Sequence, residues 1–131
     1  MEKSLSTSLE NLDITASSLY KTLKGGEILA LTGNLGSGKT TFTQKLAKKL
    51  KVKNPVTSPT FVLMNVFPAN LASKKKVTLY HLDLYRTKSY KEVKALGITE
   101  LWGKKENLVI IEWAEKIKKY LPKNAIIINF K

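Results

Sequence analysis

The segment at residues 33–40 constrains this sequence more than any other. It reads Gly33-Asn34-Leu35-Gly36-Ser37-Gly38-Lys39-Thr40 and matches the phosphate-loop pattern G-x-x-x-x-G-K-[ST] in full. Glycines lack a Cβ, so the backbone can curl and point successive N–H groups at phosphate oxygens. We therefore predict a loop that binds the phosphates of ATP or GTP.

The flanking sequence supports this interpretation over an incidental glycine-rich turn. Residues 27–32 form a short apolar run typical of a buried strand. A helical pattern follows over residues 39–50, with an inward face made of Phe42, Leu46, Ala47 and Leu50. The helix would present its positive N-terminal end to the bound anion.

Each polar side chain of the loop has a predicted role. Lys39 would place its charge against the β- and γ-phosphates, and the Thr40 hydroxyl would be a ligand of Mg²⁺. The loop residues predicted to bind the nucleotide are Gly33, Gly36, Ser37, Gly38, Lys39 and Thr40.

A phosphate loop needs a carboxylate at the end of a neighbouring strand to complete the magnesium shell. Glu112 ends the apolar run 108–111 and is the stronger candidate, whereas Asp83 lies near the end of an alternating strand at 77–84. The alternatives are an ordinary acid at a helix N-terminus for Glu112 and a capping carboxylate for Asp83.

Four further residues could belong to the site. Thr60, in a hydroxyl-rich stretch at 57–61, is predicted to lie near the γ-phosphate, or else in a plain turn. The lone His81 is more typical of a packed, hydrogen-bonded side chain than of a catalyst. Trp113 could be core, a lid over the site or a stacking platform. The only arginine, Arg86, fits a structural ion pair better than an arginine finger.

The remaining patterns predict the fold class. Helices are expected at 9–23, at 114–120 and, after a capping box of Ser89 with Glu92, up to Gly97. Strands are expected at 60–67 and 125–130, with a polar loop at 68–76. We predict an α/β, P-loop NTPase-like layered fold: a mainly parallel sheet with one antiparallel hairpin, flanked by helices, in a single domain of residues 1–131.

Composition narrows the class of protein. The sequence has no cysteine, which excludes disulfides, thiolate zinc sites and cysteine nucleophiles. It has no apolar stretch long enough to span a bilayer, and residues 1–10 are polar without the apolar core of a signal peptide. We expect a cytoplasmic protein with no membrane partner.

The formal net charge of +13 comes almost entirely from lysine. A strongly basic chain can bind RNA through counterion release, but lysines spread along the chain can equally form a generally solvated surface. The densest run, at 74–76, fits either interpretation.

Four motifs in a fixed order resemble the TsaE family, the bacterial ATPases required for threonylcarbamoyladenosine in tRNA. Besides the phosphate loop, they are Ser58-Pro59-Thr60-Phe61, His81-Leu82-Asp83-Leu84-Tyr85-Arg86 and Ile111-Glu112-Trp113. The resemblance covers residues 7–122.

The resemblance implies an ATPase that acts with the TsaB and TsaD proteins, with TsaD performing the transfer to tRNA. It implies that residues 36–41, including Thr41, bind phosphates and that Thr40, Glu112 and Asp83 surround Mg²⁺. It further implies that Thr60 lies in a switch segment, that Trp113 flanks the metal carboxylate and that Thr7 approaches the nucleoside. Contact with tRNA would come through the complex.

Two other classes remain open. A small nucleoside or nucleotide kinase shares the phosphate loop but needs several arginines in a lid, and only one arginine is present. A nucleotide-sensing subunit would bind the same ligand without hydrolysing it.

Overall fold

The structure is a computed structural model that describes residues 3–34, 36–53, 64–87 and 89–131. Six strands form one sheet in the order β1-β6-β2-β5-β4-β3. All neighbouring strands are parallel except the β3–β4 pair, which is an antiparallel hairpin. The predicted mainly parallel sheet with one hairpin is confirmed. The strands are β1 (Lys3–Thr7), β2 (Ile28–Thr32), β3 (Met64–Asn70), β4 (Lys76–Asp83), β5 (Asn107–Glu112) and β6 (Ile126–Phe130).

Helices cover both faces of the sheet. The α-helices are α1 (Leu12–Thr22), α2 (Lys39–Lys49) and α3 (Tyr90–Ala95), and 3₁₀ segments occupy Leu9–Asn11, Ile98–Leu101 and Ala114–Tyr120. One core lies between the sheet and helices α1 and α2, where the predicted inward face of α2 is buried. A second core packs α3 and the last two 3₁₀ segments against the other face. No helix in the described ranges is both long and apolar enough to cross a bilayer.

The elements predicted from the sequence differ from the structure at three places. Strand β1 was missed because its single apolar side chain, Leu5, is exposed at the edge of the sheet. The predicted polar loop at 68–76 begins inside β3, which continues through Pro68 to Asn70. An edge strand tolerates proline, because one side of its backbone needs no hydrogen-bond partner in the sheet. The predicted helix at 114–120 is present, but it consists of 3₁₀ turns with a kink at Ile117.

Two helix ends also differ from expectation. Helix α1 begins at Leu12, so Leu9 lies in the preceding 3₁₀ turn and is exposed. Ser89 is the N-cap of α3, but its side chain makes no capping hydrogen bond, so the predicted capping box is not formed. The segment 54–59 and the predicted strand start at 60–63 lie outside the described residues.

We expect Gly25→Ala to destabilise the fold strongly. Gly25 has φ +100°, and a Cβ there would lie 2.1 Å from the backbone carbonyl oxygen of Lys105. Gly103 is the matched control, because it has φ +73° and a Cβ added there would meet no atom within 4 Å. Gly103→Ala incurs only the left-handed backbone penalty of about 1–2 kcal/mol, and Gly25→Ala adds about 1–3 kcal/mol of steric strain. Urea denaturation measures both, and equal losses would contradict the clash.

Candidate functional site

The phosphate loop connects β2 to α2 at the carboxyl edge of the parallel strands. Gly33, Gly36 and Gly38 all have positive φ, which non-glycine residues seldom adopt. A Cβ on Gly33 would lie 2.7 Å from the carbonyl oxygen of Phe130, so β6 closes one side of the loop. Leu35 lies outside the described residues. The loop requires glycine at position 33 for two reasons, which are its positive φ angle and the close approach of β6.

Lys39 is folded back over its own loop. Its Nζ donates hydrogen bonds to the carbonyl oxygens of Gly33 at 2.6 Å and Asn34 at 2.9 Å, and to Ser37 Oγ at 3.3 Å. The same ammonium lies 4.0 Å from the centroid of the Trp113 ring. Lys39 is thereby buried as a cation among carbonyl oxygens and an aromatic face, which are groups that stabilise positive charge.

Burial lowers the pKa of the Lys39 ammonium below its ordinary value. The nearby carboxylates oppose this effect and raise the pKa, with Glu115 contributing most, then Glu112 and Asp83. Desolvation disfavours the charged form, whereas an adjacent anion favours it. A bound phosphate would act in the same direction as these carboxylates and hold the lysine in its charged form.

Strand pairing places the two predicted metal carboxylates side by side. Asp83 on β4 is in register with Glu112 on β5, and Glu112 is in turn in register with Leu31 on β2, two residues before the loop. Thr40 Oγ1 donates a 2.7 Å hydrogen bond to Glu112 Oε1. The structure therefore joins the loop hydroxyl and the strand-end carboxylate that sequence reasoning predicted as partners.

The second oxygen of Glu112 contacts a buried histidine. His81 Nε2 lies 2.5 Å from Glu112 Oε2, and both side chains are almost fully buried. Against an ionised carboxylate, which can only accept, the Nε2–H of His81 would be the donor. His81 Nδ1 is buried without a hydrogen-bond partner among the described residues. His81 is thus the hydrogen-bonded side chain that the sequence favoured, and its bond fixes the orientation of Glu112.

Asp83 differs from Glu112 because it is only half-buried. Burial raises the pKa of its carboxyl group above the ordinary value, and the charge of Glu112 adds to the rise. The Tyr85 N–H, which donates a 3.0 Å hydrogen bond to Asp83 Oδ1, opposes this shift, as do His81 and Lys39. Ionisation of Asp83 in the folded protein therefore lowers the free energy of unfolding.

We expect Asp83→Asn to raise the free energy of unfolding at pH 7 by about 0.5–2 kcal/mol, a gain typical of relieving an unfavourable charge. The folded protein binds the Asp83 proton more tightly than the unfolded chain does, so ionisation reduces stability as pH rises through the raised pKa. Asparagine keeps the acceptor for Tyr85 and removes that charge. This gain in stability should vanish at pH values below the range in which aspartate ordinarily titrates.

Thermal unfolding at pH 7 and near pH 3 measures this effect. Asp13→Asn is the control, because the Asp13 side chain is 76% exposed and pairs with Lys45 at the surface. If Asp83→Asn stabilises the protein no more than Asp13→Asn does at pH 7, the charge on Asp83 does not destabilise the folded protein.

The remaining predicted residues lie around this centre. Thr7 ends β1, and its hydroxyl shares a 2.8 Å hydrogen bond with Thr15 of α1. Thr41 is exposed in the first turn of α2. Arg86 is exposed and makes no ion pair with any described residue, so the favoured ion pair is wrong for that part of the chain. Thr60 lies outside the described residues.

Comparison with known proteins decides the family. The family model described as "Threonylcarbamoyl adenosine biosynthesis protein TsaE" matches residues 6–131. This chain belongs to the TsaE family.

Three curated relatives carry the name tRNA threonylcarbamoyladenosine biosynthesis protein TsaE. The proteins from Nostoc sp., Aquifex aeolicus and Rickettsia bellii are 40%, 41% and 39% identical to this chain over 82%, 79% and 88% of its length. The matches span 64%, 69% and 76% of those relatives. The crystal structure of Bacillus subtilis YdiB matches with a TM-score of 0.60 and 29% identity, over 86% of this chain and 64% of that one. The predicted P-loop-like α/β fold is confirmed.

Sequence reasoning missed one residue of this TsaE-family site. Glu115 Oε2 accepts a 3.0 Å hydrogen bond from the Gly33 N–H, at the start of the phosphate loop. Glu115 follows β5 by three residues, and carboxylates just beyond a central strand end gather at this edge of the sheet. That position was the available signal, but the sequence predicts only a helix over 114–120 and does not specify its orientation.

Two further side chains, Tyr85 and Lys116, support the site near Trp113. The Trp113 and Tyr85 rings lie 5.0 Å apart, and Trp113 has a left-handed backbone with φ +61°. Lys116 Nζ donates hydrogen bonds to the carbonyl oxygens of Tyr85 at 2.5 Å and Thr87 at 3.0 Å. These contacts tie the segment after β4 to the segment after β5, so both carboxylate-bearing strand ends are held in one arrangement.

Proposed function

We propose that this chain binds ATP with Mg²⁺ and hydrolyses it as a component of threonylcarbamoyladenosine biosynthesis in tRNA. In this proposal it acts with TsaB and TsaD in the cytoplasm and does not perform the transfer itself. The observation that carries the proposal is the 2.7 Å hydrogen bond between Thr40 Oγ1 and Glu112 Oε1 beside a complete phosphate loop. Family membership supplies the tRNA modification as the process.

The loop supplies the phosphate contacts. The loop N–H groups and the N-terminal end of α2 present positive partial charges to an anion. Lys39 would exchange its contacts with the Gly33 and Asn34 carbonyl oxygens for phosphate oxygens, which bind an ammonium more strongly because they are charged. The Glu115 carboxylate adds negative charge near the incoming phosphates. It would therefore either release the Gly33 N–H or keep that hydrogen bond from a position beside the phosphates.

The residues present fit magnesium. Mg²⁺ prefers oxygen ligands and is usually held by one or two carboxylates together with substrate phosphates and water. The described residues contain no cluster of three or more His, Cys, Asp or Glu side chains able to hold a metal alone, which agrees with that shared mode of binding. Thr40 and Glu112 would hold the ion, with Asp83 in register beside them. When bound, the ion would neutralise charge that develops on the phosphates.

His81 and Trp113 have supporting roles in this proposal. His81 fixes one oxygen of Glu112, so the other oxygen stays directed at Thr40. Trp113 covers the Lys39 ammonium and would limit water access to it. In this proposal Thr60 lies near the γ-phosphate, as its hydroxyl-rich segment indicates, and Thr7 approaches the nucleoside, as the family resemblance implies.

The deciding experiment measures phosphate release from ATP by the purified chain, with and without TsaB and TsaD, in Mg²⁺ and in EDTA. We expect Mg²⁺-dependent release that needs both partners. Phosphate transfer to an added nucleoside would identify a kinase instead. Calorimetric ATP binding without turnover under any condition would identify a nucleotide-sensing subunit.

A further inference from the structure

Positive charge is concentrated at the sheet edge opposite the phosphate loop. We call residues 21–27, 48–53, 70–76 and 104–107 the basic edge. Its carboxylates are Glu27 and Glu106 alone. Its lysines are Lys21, Lys24, Lys48, Lys49, Lys51, Lys53, Lys74, Lys75, Lys76, Lys104 and Lys105.

Direct contacts bring these four segments together. Lys75 Nζ donates to the carbonyl oxygens of Lys105 at 3.1 Å and Lys24 at 3.5 Å. The Asn70 N–H bonds the Leu50 carbonyl at 2.7 Å, which joins the end of α2 to the end of β3. Lysines distant in sequence therefore form one continuous surface, at the amino ends of β2, β4 and β5.

This charge is not neutralised within the described residues. The ion pairs there are Lys45 with Asp13 and His81 with Glu112, and neither involves the basic edge. Both oxygens of Glu27 accept backbone hydrogen bonds, from the N–H groups of Lys24 at 2.7 Å and Gly25 at 2.8 Å. All of the lysines except Lys49 are exposed. A surface that gathers so many unpaired cations favours a polyanionic partner.

We propose that the basic edge binds the phosphate backbone of structured RNA. The choice of RNA over DNA rests on the proposed function, whereas polyanion binding does not. An acidic protein partner is disfavoured because protein interfaces are depleted in lysine and depend on aromatic, apolar or arginine anchors. The basic edge has no aromatic residue or arginine, and Leu23, Leu50 and Leu71 are buried.

The residue types also define the mode of binding. Lysine ammonium groups contact phosphates as point charges, whereas base edges are read mainly by planar groups such as arginine. The basic edge therefore contacts the backbone without reading sequence. Because it lies at the other end of the strands from Lys39, RNA and ATP can bind at the same time.

A charge-matched pair of variants tests the proposal. Lys76→Gln with Lys104→Gln removes two exposed cations from two segments of the basic edge, without touching Lys75. Lys91→Gln with Lys94→Gln removes two exposed cations from α3, elsewhere on the surface. Fluorescence anisotropy with a labelled tRNA transcript is measured for the full chain between about 50 and 200 mM salt, the range over which phosphate contacts weaken steeply. ATP binding is checked by calorimetry.

We expect the basic-edge variant to bind tRNA about tenfold more weakly, with a salt slope smaller by about 2, since each lysine–phosphate contact contributes about 1. The α3 variant should bind like the unaltered chain, and both should bind ATP normally. Equal weakening in both variants, or no weakening in the first, would overturn the proposal. Tighter binding of poly-glutamate than of tRNA would also overturn it, in favour of an acidic protein. If the unaltered chain binds tRNA but does not bind ATP, that result would count against the proposed function alone.

Discussion

Replacing Lys39 with alanine should weaken ATP binding by about a hundredfold and leave the fold intact. Lys39 is the only cation inside the phosphate loop, and its ammonium is already placed among the loop carbonyls. A charge-assisted hydrogen bond contributes about 1.5–3 kcal/mol, which corresponds to roughly 10- to 150-fold in affinity. Because burial lowers the Lys39 pKa, the fold gains no stability from this charge, so truncation should not unfold the protein.

Isothermal titration calorimetry with ATP and Mg²⁺ measures the loss, and thermal unfolding checks the fold. Lys45→Ala is the matched control, since Lys45 lies on the same helix but pairs with Asp13 at the surface. The assignment of Lys39 fails if its alanine variant binds ATP as tightly as the Lys45 variant does.

Replacing Glu112 with alanine should reduce Mg²⁺-dependent turnover by about 10²–10³-fold, the range typical of losing one preorganised electrostatic group. Nucleotide binding measured in EDTA should change far less. The variant also leaves the buried His81 Nε2 without its Glu112 acceptor, and a buried unsatisfied group costs about 1–3 kcal/mol. A lower melting temperature should therefore accompany the loss of activity.

Glu112→Gln separates the two effects, because glutamine retains the shape and an acceptor oxygen while removing the charge. It should lose turnover with a smaller loss of stability. Glu106→Gln, on the exposed segment that precedes β5, is the control for removing a carboxylate. If Glu112→Gln turns over ATP at the unaltered rate, the role at the metal moves to Asp83, its neighbour in register.

Local sequence predicted the elements whose side chains follow a regular burial pattern. The buried face of α2 and the continuous burial of β5 agree with their apolar residues, because each pattern follows the geometry of its own element. Strand β1 could not be predicted in this way, since it pairs with β6 through its backbone and its one apolar side chain, Leu5, is exposed. The predicted loop at 68–76 began at Pro68, and the position of this proline in the edge strand β3 explains why the strand tolerates it.

The candidate site also contains residues that the sequence predicts and one that only the tertiary structure reveals. The loop residues and the carboxylates at strand ends follow from sequence, because parallel strands bring their carboxyl ends to one edge. The hydrogen bond of Glu115 to the Gly33 N–H joins residues far apart in the chain, through a 3₁₀ segment kinked at Ile117. No local pattern encodes that orientation.

By itself, the sequence predicted a phosphate loop at residues 33–40, since its glycines permit the positive φ angles found at positions 33, 36 and 38, and Lys39 and Thr40 supply the side-chain chemistry. The tertiary structure decided which groups that loop meets. Strand order placed Glu112 between Thr40 and His81, and the contacts of Lys75 gathered separate lysines at the opposite edge. The physical reason is range: glycine conformation and side-chain periodicity are local properties, whereas register, burial and clustered charge arise only when distant segments pack together.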